Sequence, residues 1–209
     1  MISPRQLLSS LCFCLLLTGL RAEWLAASAA QAKPLPVGAT VPAITLLTPD
    51  GSSFDLNRAL GEKPTLLIIF RGGWCPYCSQ HLSVLAELEP KLVALGVQII
   101  AVSTDNPKNL RFLAQENKLQ YQLLSDRGMA ASAALGVAYR VPAEMQKKYA
   151  EWEIDVPPVP SDPDHRWLPI PAAFVINRDR VIKFVFADPD YTVRISGDDL
   201  MSAVQSALK

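Results

Sequence analysis

Apolar and polar positions alternate along this chain in blocks, and the blocks change period. AITLL (residues 43–47) and SFDL (53–56) flank Pro49-Asp50-Gly51 and predict a short hairpin. TLLIIF (65–70) is apolar without interruption, the signature of a central strand covered on both faces. From Pro76 to Ala94 the period becomes helical: Leu82, Leu85, Leu88, Leu92 and Leu95 share one side, and Gly96 ends the run. VQIIAVS (97–103) predicts a second buried strand, Asn106-Pro107 opens a helix through Glu116, and YQLL (121–124) is a short strand. MAASAAL runs into Gly136. AAFVIN and VIKFVFA flank Asn177-Arg178-Asp179-Arg180 and predict an antiparallel pair, and Ser196 caps a last helix from Gly197 to Leu208. Alternating strands and helices predict one α/β domain, without internal repeats.

One segment breaks the rhythm. Residues 151–171 (EWEIDVPPVPSDPDHRWLPIP) are dense in proline, which removes amide donors and fixes the backbone in extended or turn shapes. This reads as a loop longer than ordinary connections, and such loops are functional covers, ordered but inert, or disordered. Trp152, Ile154, Val156, Trp167 and Leu168 argue for packing against the body.

The amino terminus has a different composition. Arg5 precedes an apolar run from Leu7 to Leu20, followed by small residues ending in Ala30-Gln31-Ala32. The run is shorter than the roughly 20 residues that span a bilayer, so residues 1–32 read as a cleavable export signal, with an uncleaved anchor or a buried helix as alternatives. Cys12 and Cys14 lack the small residues that precede a lipid-anchored cysteine. The expected mature domain, residues 33–209, is large enough for its own core. It is then exported to a periplasmic or other extracytoplasmic compartment, with no membrane partner after signal removal. The 20 basic residues of the full chain balance its 20 acidic ones. No basic patch points to nucleic acid or to an anionic membrane surface.

Losing the leader also leaves two cysteines of the original four, Cys75 and Cys78. A structural disulfide between them closes over two residues and removes little unfolded-chain entropy. A zinc site needs about four ligands, and the chain holds only His81 and His165 besides. No metal and no cofactor is therefore expected, and redox chemistry remains. A thiolate, not a thiol, is the reacting species, and a helix start favours it through unpaired amides and the helix dipole. Cys75 stands where the strand loop enters the helix beginning at Pro76, and proline suits that position because no amide is lost. Cys78 lies one turn further in. Cys75 is the expected attacking thiol and Cys78 the resolving one. Arg71 is the nearest cation in sequence, to be weighed as a pKa-tuning group against a solvated charge at a strand end. Trp74 reads as a packing lid, and His81 as an exposed helix histidine.

WCPYC after an apolar strand and before an amphipathic helix resembles the active site of the thioredoxin fold, and its Pro-Tyr dipeptide is the one familiar from glutaredoxins. With VGATVPAITLLTPDGSSFDL, IIFRGGWCPYC, IIAVSTD, YQLLSD, ALGV, LPIPAAFVIN and DPDYTVR, residues 37–194 resemble the peroxiredoxins of the alkyl hydroperoxide reductase C and thiol-specific antioxidant group, in their peroxiredoxin-like branch. The resemblance implies a thioredoxin-like fold: a central mixed β-sheet flanked by helices on both faces, with the cysteines at a strand's carboxyl end. It matches Cys75-Pro76 to the peroxide-attacking cysteine and its proline. The family's Thr or Ser three residues earlier is here Gly72, and its distant Arg falls on Pro171. A proline at that point resembles the cis-proline of thioredoxins, so a cis Ile170–Pro171 bond facing Cys75 is expected.

Three readings stand at this point. The first is a thiol-dependent antioxidant enzyme reducing peroxides. The second is a thiol–disulfide oxidoreductase acting on exported proteins, and the third a non-catalytic binding module of the same fold. In the two catalytic readings Cys78 closes a Cys75–Cys78 disulfide, which a thioredoxin-like or other thiol donor reopens.

Overall fold

The computed structural model describes residues 25–209. Most of the expected leader, residues 1–24, lies outside the described residues. A seven-stranded sheet forms the centre, in the order β2-β1-β5-β4-β3-β8-β9. Its strands are β1 (Thr45–Leu47), β2 (Ser53–Asp55), β3 (Thr65–Ile69), β4 (Gln98–Ser103), β5 (Gln122–Ser125), β8 (Ala172–Ile176) and β9 (Ile182–Ala187). The inner strands β3, β4 and β5 are parallel, while β1, β8 and β9 join antiparallel.

Each fully buried strand feeds two cores, because successive side chains point to opposite faces. Leu67 and Ile69 join one core with α1 (Leu56–Glu62), α4 (Ala130–Ala134) and α5 (Ala143–Glu151). Leu66, Ile68 and Phe70 join the other with α2 (Pro76–Ala94), α3 (Pro107–Glu116) and α6 (Gly197–Ala207). This is the expected thioredoxin-like arrangement, with helices on both faces of a mixed sheet. The caps read from sequence also hold: the side chains of Asn106 and Ser196 accept from the amides of Asn109 and Asp199.

Three features depart from the sequence reading or were not read from it. The chain before the proline-rich loop is helix α5, whose one buried residue, Tyr149, gives too weak a period to be read. The loop is also shorter than expected, because Trp167–Pro169 forms β7 and pairs with β6 (Ala138–Arg140) as a separate two-stranded sheet. Within the loop Val156 and Val159 are buried, whereas Trp152 is exposed at its start. Third, no described peptide bond is cis, so Ile170–Pro171 is trans. The link joins β7 directly to β8, and the Ile170 amide donates to Val137 O at 2.9 Å. An extended trans link suits this passage, since a cis bond shortens the Cα–Cα step to about 2.9 Å and turns the chain.

Residues 25–35 lie along the same small sheet. Ala26 bridges Tyr139 in parallel, and the Leu35 amide donates to Leu135 O at 2.9 Å. Gly136 permits this approach: its φ is +71°, and a Cβ there would stand 2.0 Å from the Lys33 carbonyl oxygen. Left-handed backbone alone costs an L side chain about 1–2 kcal/mol. Gly136→Ala is therefore expected to lower unfolding free energy by about 2 kcal/mol or more, measured by urea denaturation, whereas Gly96→Ala, with open space around it, loses only the backbone part.

Candidate active site

The site begins where β3 ends. Ile69 is its last paired residue, Phe70 donates to Val102 O, and the chain then leaves the sheet over Arg71-Gly72-Gly73-Trp74 to reach Cys75. The neighbouring strand fixes this loop. Thr104 Oγ1 donates to Arg71 O at 2.8 Å, and the Gly73 amide donates to Asp105 Oδ2 at 2.8 Å. Asp105 is itself held by Ser103 Oγ at 2.9 Å, and burial raises its pKa against these donors. Cys75 is the N-cap of α2 and Pro76 its first residue, as the sequence predicts.

Arg71 is buried at 2 % exposure, not a solvated charge at a strand end. Its Nη1 makes a long contact of 3.9 Å to Cys75 Sγ, and its Nη2 donates to the Tyr149 hydroxyl. The guanidinium lies over the rings of Tyr191, Trp74 and Tyr149, at 4.1, 4.9 and 5.7 Å from their centroids. Among the described residues it has no carboxylate partner within 4.0 Å. Its nearby anion is the Cys75 thiolate.

Cys75 and Cys78 are both free thiols and both buried. The Cys75 pKa is pulled down from 9.0 to about 6. The first cause is the Cys78 thiol donating to it. Burial opposes this, and the Cys78 amide, Arg71 and Arg194 assist. That amide also hydrogen-bonds the Cys75 carbonyl at 2.9 Å, so its effect on the sulfur is that of a nearby dipole. The same sharing pushes the Cys78 thiol up: it keeps its proton toward Cys75, is desolvated, and feels the adjacent negative sulfur.

His81 is buried rather than exposed. It lies three residues after Cys78 and four before Leu85, on the apolar stripe of α2. Burial first, then the charge of Arg194, push its pKa down to about 4, so the imidazole is neutral. Trp74, read from sequence as a packing lid, lies against Tyr149 with ring centroids 5.5 Å apart. Pro171 does not face Cys75 through a cis bond; it lines a small cavity with His81 and Arg194.

Several residues were not singled out from sequence. Arg194 reaches Cys78 from the loop after β9, with Nη2 at 3.4 Å from Sγ. Tyr149 closes on Arg71 from α5, and Tyr191 from the same loop as Arg194. Only adjacency in the fold brings these groups to the cysteines. Gly72 differs in another way. A Cβ there would lie 2.3 Å from Trp74 Nε1 and 3.0 Å from Asp105 Oδ1, so the indole occupies the space of the side chain that the peroxiredoxin pattern carries at this position.

The profile of the AhpC/TSA family matches residues 37–185, most of the described chain. The chain belongs to the AhpC/TSA family. Peroxiredoxin Bcp of Escherichia coli is 27% identical over 155 residues, covering 74% of this chain and 87% of that protein. The chloroplastic peroxiredoxin Q of Suaeda salsa is 29% identical over 100 residues, covering 48% of this chain. The match spans only 46% of that relative and 66% of a Bcp-type relative from Haemophilus influenzae. Among solved structures, peroxidoxin BcpB of Mycobacterium tuberculosis superposes with a TM-score of 0.63 at 19% identity, covering 82% of this chain and 97% of that one. Peroxiredoxin 6 of Arenicola marina gives 0.66 at 18%, covering 83% and 74%. These two likenesses establish the fold.

The site predicts a pH profile. Alkylation of Cys75 is expected to rise with a midpoint near pH 6, and Arg71→Met is expected to move it upward. Mass mapping across pH 5 to 9 reads both, with Cys78 unlabelled throughout. The folded pKa lies below the unfolded one, so the thiolate's contribution to stability is complete above pH 9.0 and is lost as pH falls through 6.

Proposed function

We propose that this protein is a thiol-dependent peroxidase. The Cys75 thiolate attacks one peroxide oxygen, the O–O bond breaks, and the leaving alkoxide or hydroxide takes a proton. Cys75 is then a sulfenic acid. Cys78 displaces its hydroxyl as water and closes a disulfide, and an external dithiol exchanges with that disulfide to restore both thiols. A thioredoxin-like protein is the natural class of donor.

The observation that carries this reading is the set of buried donors around the cysteines. Arg71 Nε and Trp74 Nε1 are buried and have no hydrogen-bond partner among the described residues. Unpartnered buried donors are rare, and two beside one reactive sulfur need a reason. Oxygen acceptors are what such donors bind, and a peroxide brings two. The family's hydroxyl and second arginine are replaced at Gly72 and Pro171, and these N–H groups supply comparable chemistry from other residues. One donor to the developing oxyanion is typically worth about 100-fold or more in rate.

The second reading, disulfide exchange with exported proteins, keeps the Cys-Pro-Tyr-Cys sequence in its favour. Two observations weigh against it. Cys75 is 1 % exposed, which suits a small oxidant better than a protein disulfide, and the trans Pro171 lacks the cis-proline backbone that such a substrate pairs with. Export remains part of the proposal, on the strength of the leader. N-terminal sequencing of the exported form is expected to begin at Lys33, and a start at or before Leu25 would instead retain the segment docked on β6.

Cys78→Ser separates the two activities. With hydrogen peroxide it is expected to stop at a Cys75 sulfenic acid, seen by mass spectrometry and dimedone labelling. Peroxide oxidation of Cys75 no faster than that of a free thiolate, together with mixed disulfides as the only trapped species, would replace the first reading by the second.

A further inference from the structure

We propose that Arg194 is a positioning residue for Cys78: it holds this sulfur as a thiolate when the Cys75–Cys78 disulfide closes, and again when it reopens. The proposal rests on the redox pair described under Proposed function, and extends it to a residue outside the cysteine motif.

The guanidinium is aimed by its own loop. Nη1 donates to Tyr191 O at 2.6 Å and to Val193 O at 2.7 Å, and Nη2 is left 3.4 Å from Cys78 Sγ. Among the described residues Arg194 forms no ion pair with a carboxylate within 4.0 Å. Asp190, four residues before it, accepts instead from the amide and hydroxyl of Thr192 at 2.9 and 2.8 Å. Arg194 is half-buried, with its Nε shielded from water, and Cys78 is the group here able to become its counter-ion.

The charged and titratable groups around Cys78 are few. Cys75 and His81 share its helix, Arg71 stands at the end of β3, and Arg194 comes from the loop after β9. Pro171, Ala172, Ala173 and Phe186, which line the cavity behind His81 and Arg194, carry no charge. His81 is neutral, so Arg194 faces no competing positive charge from it.

In the reduced pair the negative charge sits on Cys75, and Cys78 keeps its proton. Oxidation makes Cys75 a neutral sulfenic acid, which removes the negative charge that repelled ionisation of Cys78. Arg194 is still in place, so the Cys78 proton leaves. The new thiolate attacks Cys75 Sγ, an S–S bond forms, and the expelled hydroxide takes the proton to become water. On reopening, a donor thiolate attacks the Cys75 sulfur and Cys78 departs as the thiolate. Lower leaving-group pKa speeds this exchange. Each sulfur thus has a guanidinium in contact with it: Arg71 Nη1 at 3.9 Å from the attacking cysteine and Arg194 Nη2 at 3.4 Å from the one that resolves and leaves.

Cys75→Ser sets a neutral hydroxyl beside Cys78 and needs no peroxide. Its thiolate absorbance, titrated in the ultraviolet, reads Cys78 directly although the sulfur is buried. Adding Arg194→Gln retains an amide donor for the loop carbonyls while removing the charge. The expected result is an upward shift of the Cys78 midpoint by about one pH unit or more, partly recovered by Arg194→Lys. In the chain with both cysteines, Arg194→Gln is expected to slow disulfide closure after peroxide oxidation about tenfold more than it slows the oxidation itself. An unmoved midpoint overturns the proposal, as does equal slowing of both steps, which would mark a general loosening of the site. If peroxide fails to oxidise Cys75 at all, the peroxidase reading falls, and the titration still decides the role of Arg194.

Discussion

A buried guanidinium beside a buried thiolate is the interaction on which this site depends. Taking Arg71 out of water without a carboxylate costs several kcal/mol, and the Cys75 sulfur is the anion close enough to offset it. The Arg71 charge assists the Cys75 thiolate, whose larger support is the Cys78 thiol donating to it. The strands hold the pair together from behind, through Thr104 on the Arg71 carbonyl and Asp105 on the Gly73 amide. The aromatic rings of Trp74, Tyr149 and Tyr191 close it from in front. Their faces attract the cation without neutralising it, so the thiolate keeps its partner while water is kept out.

The same neighbourhood trades stability for reactivity. Each buried polar atom left unpaired costs about 1–3 kcal/mol, and Arg71, Trp74, His81 and Arg194 all carry one. The strain is affordable because the surrounding layers are densely apolar: β3 is buried at every position, and α2 contributes Leu82, Leu85, Leu88 and Leu92 beneath the cysteines. The sheet's central strand thus supports both the core and the reacting sulfur.

Much of this was legible in the sequence where local physics decides the outcome. Pro76 at the first turn and the leucine period fix α2 residue for residue, and the uninterrupted TLLIIF marks the central strand. His81 was misread although the signal was present: it falls on the line from Cys78 to Leu85, the buried stripe of its helix. Tyr149 gave no such signal, being the one buried residue of α5. Arg194 lies 116 residues from Cys78, and only the path of the chain through β8 and β9 brings them together. The proline at 171 was read from a short pattern, whereas the run of chain from β7 straight into β8 keeps its peptide trans. Local periods determine elements, while pairings between remote side chains depend on the assembled sheet.

The close approach at Gly72 has a consequence for how such a pocket can change over time. The indole of Trp74 fills the volume that a hydroxyl-bearing side chain would take at position 72. A Gly72→Thr change alone drives the ring off Arg71 and Tyr149, and loss of Trp74 alone leaves a hole above a bare backbone. The two positions are sterically coupled: a side chain at 72 and the present placement of the Trp74 indole exclude each other, so a hydroxyl can enter at 72 only if the ring is displaced or replaced, and the cover over Arg71 is redrawn with it.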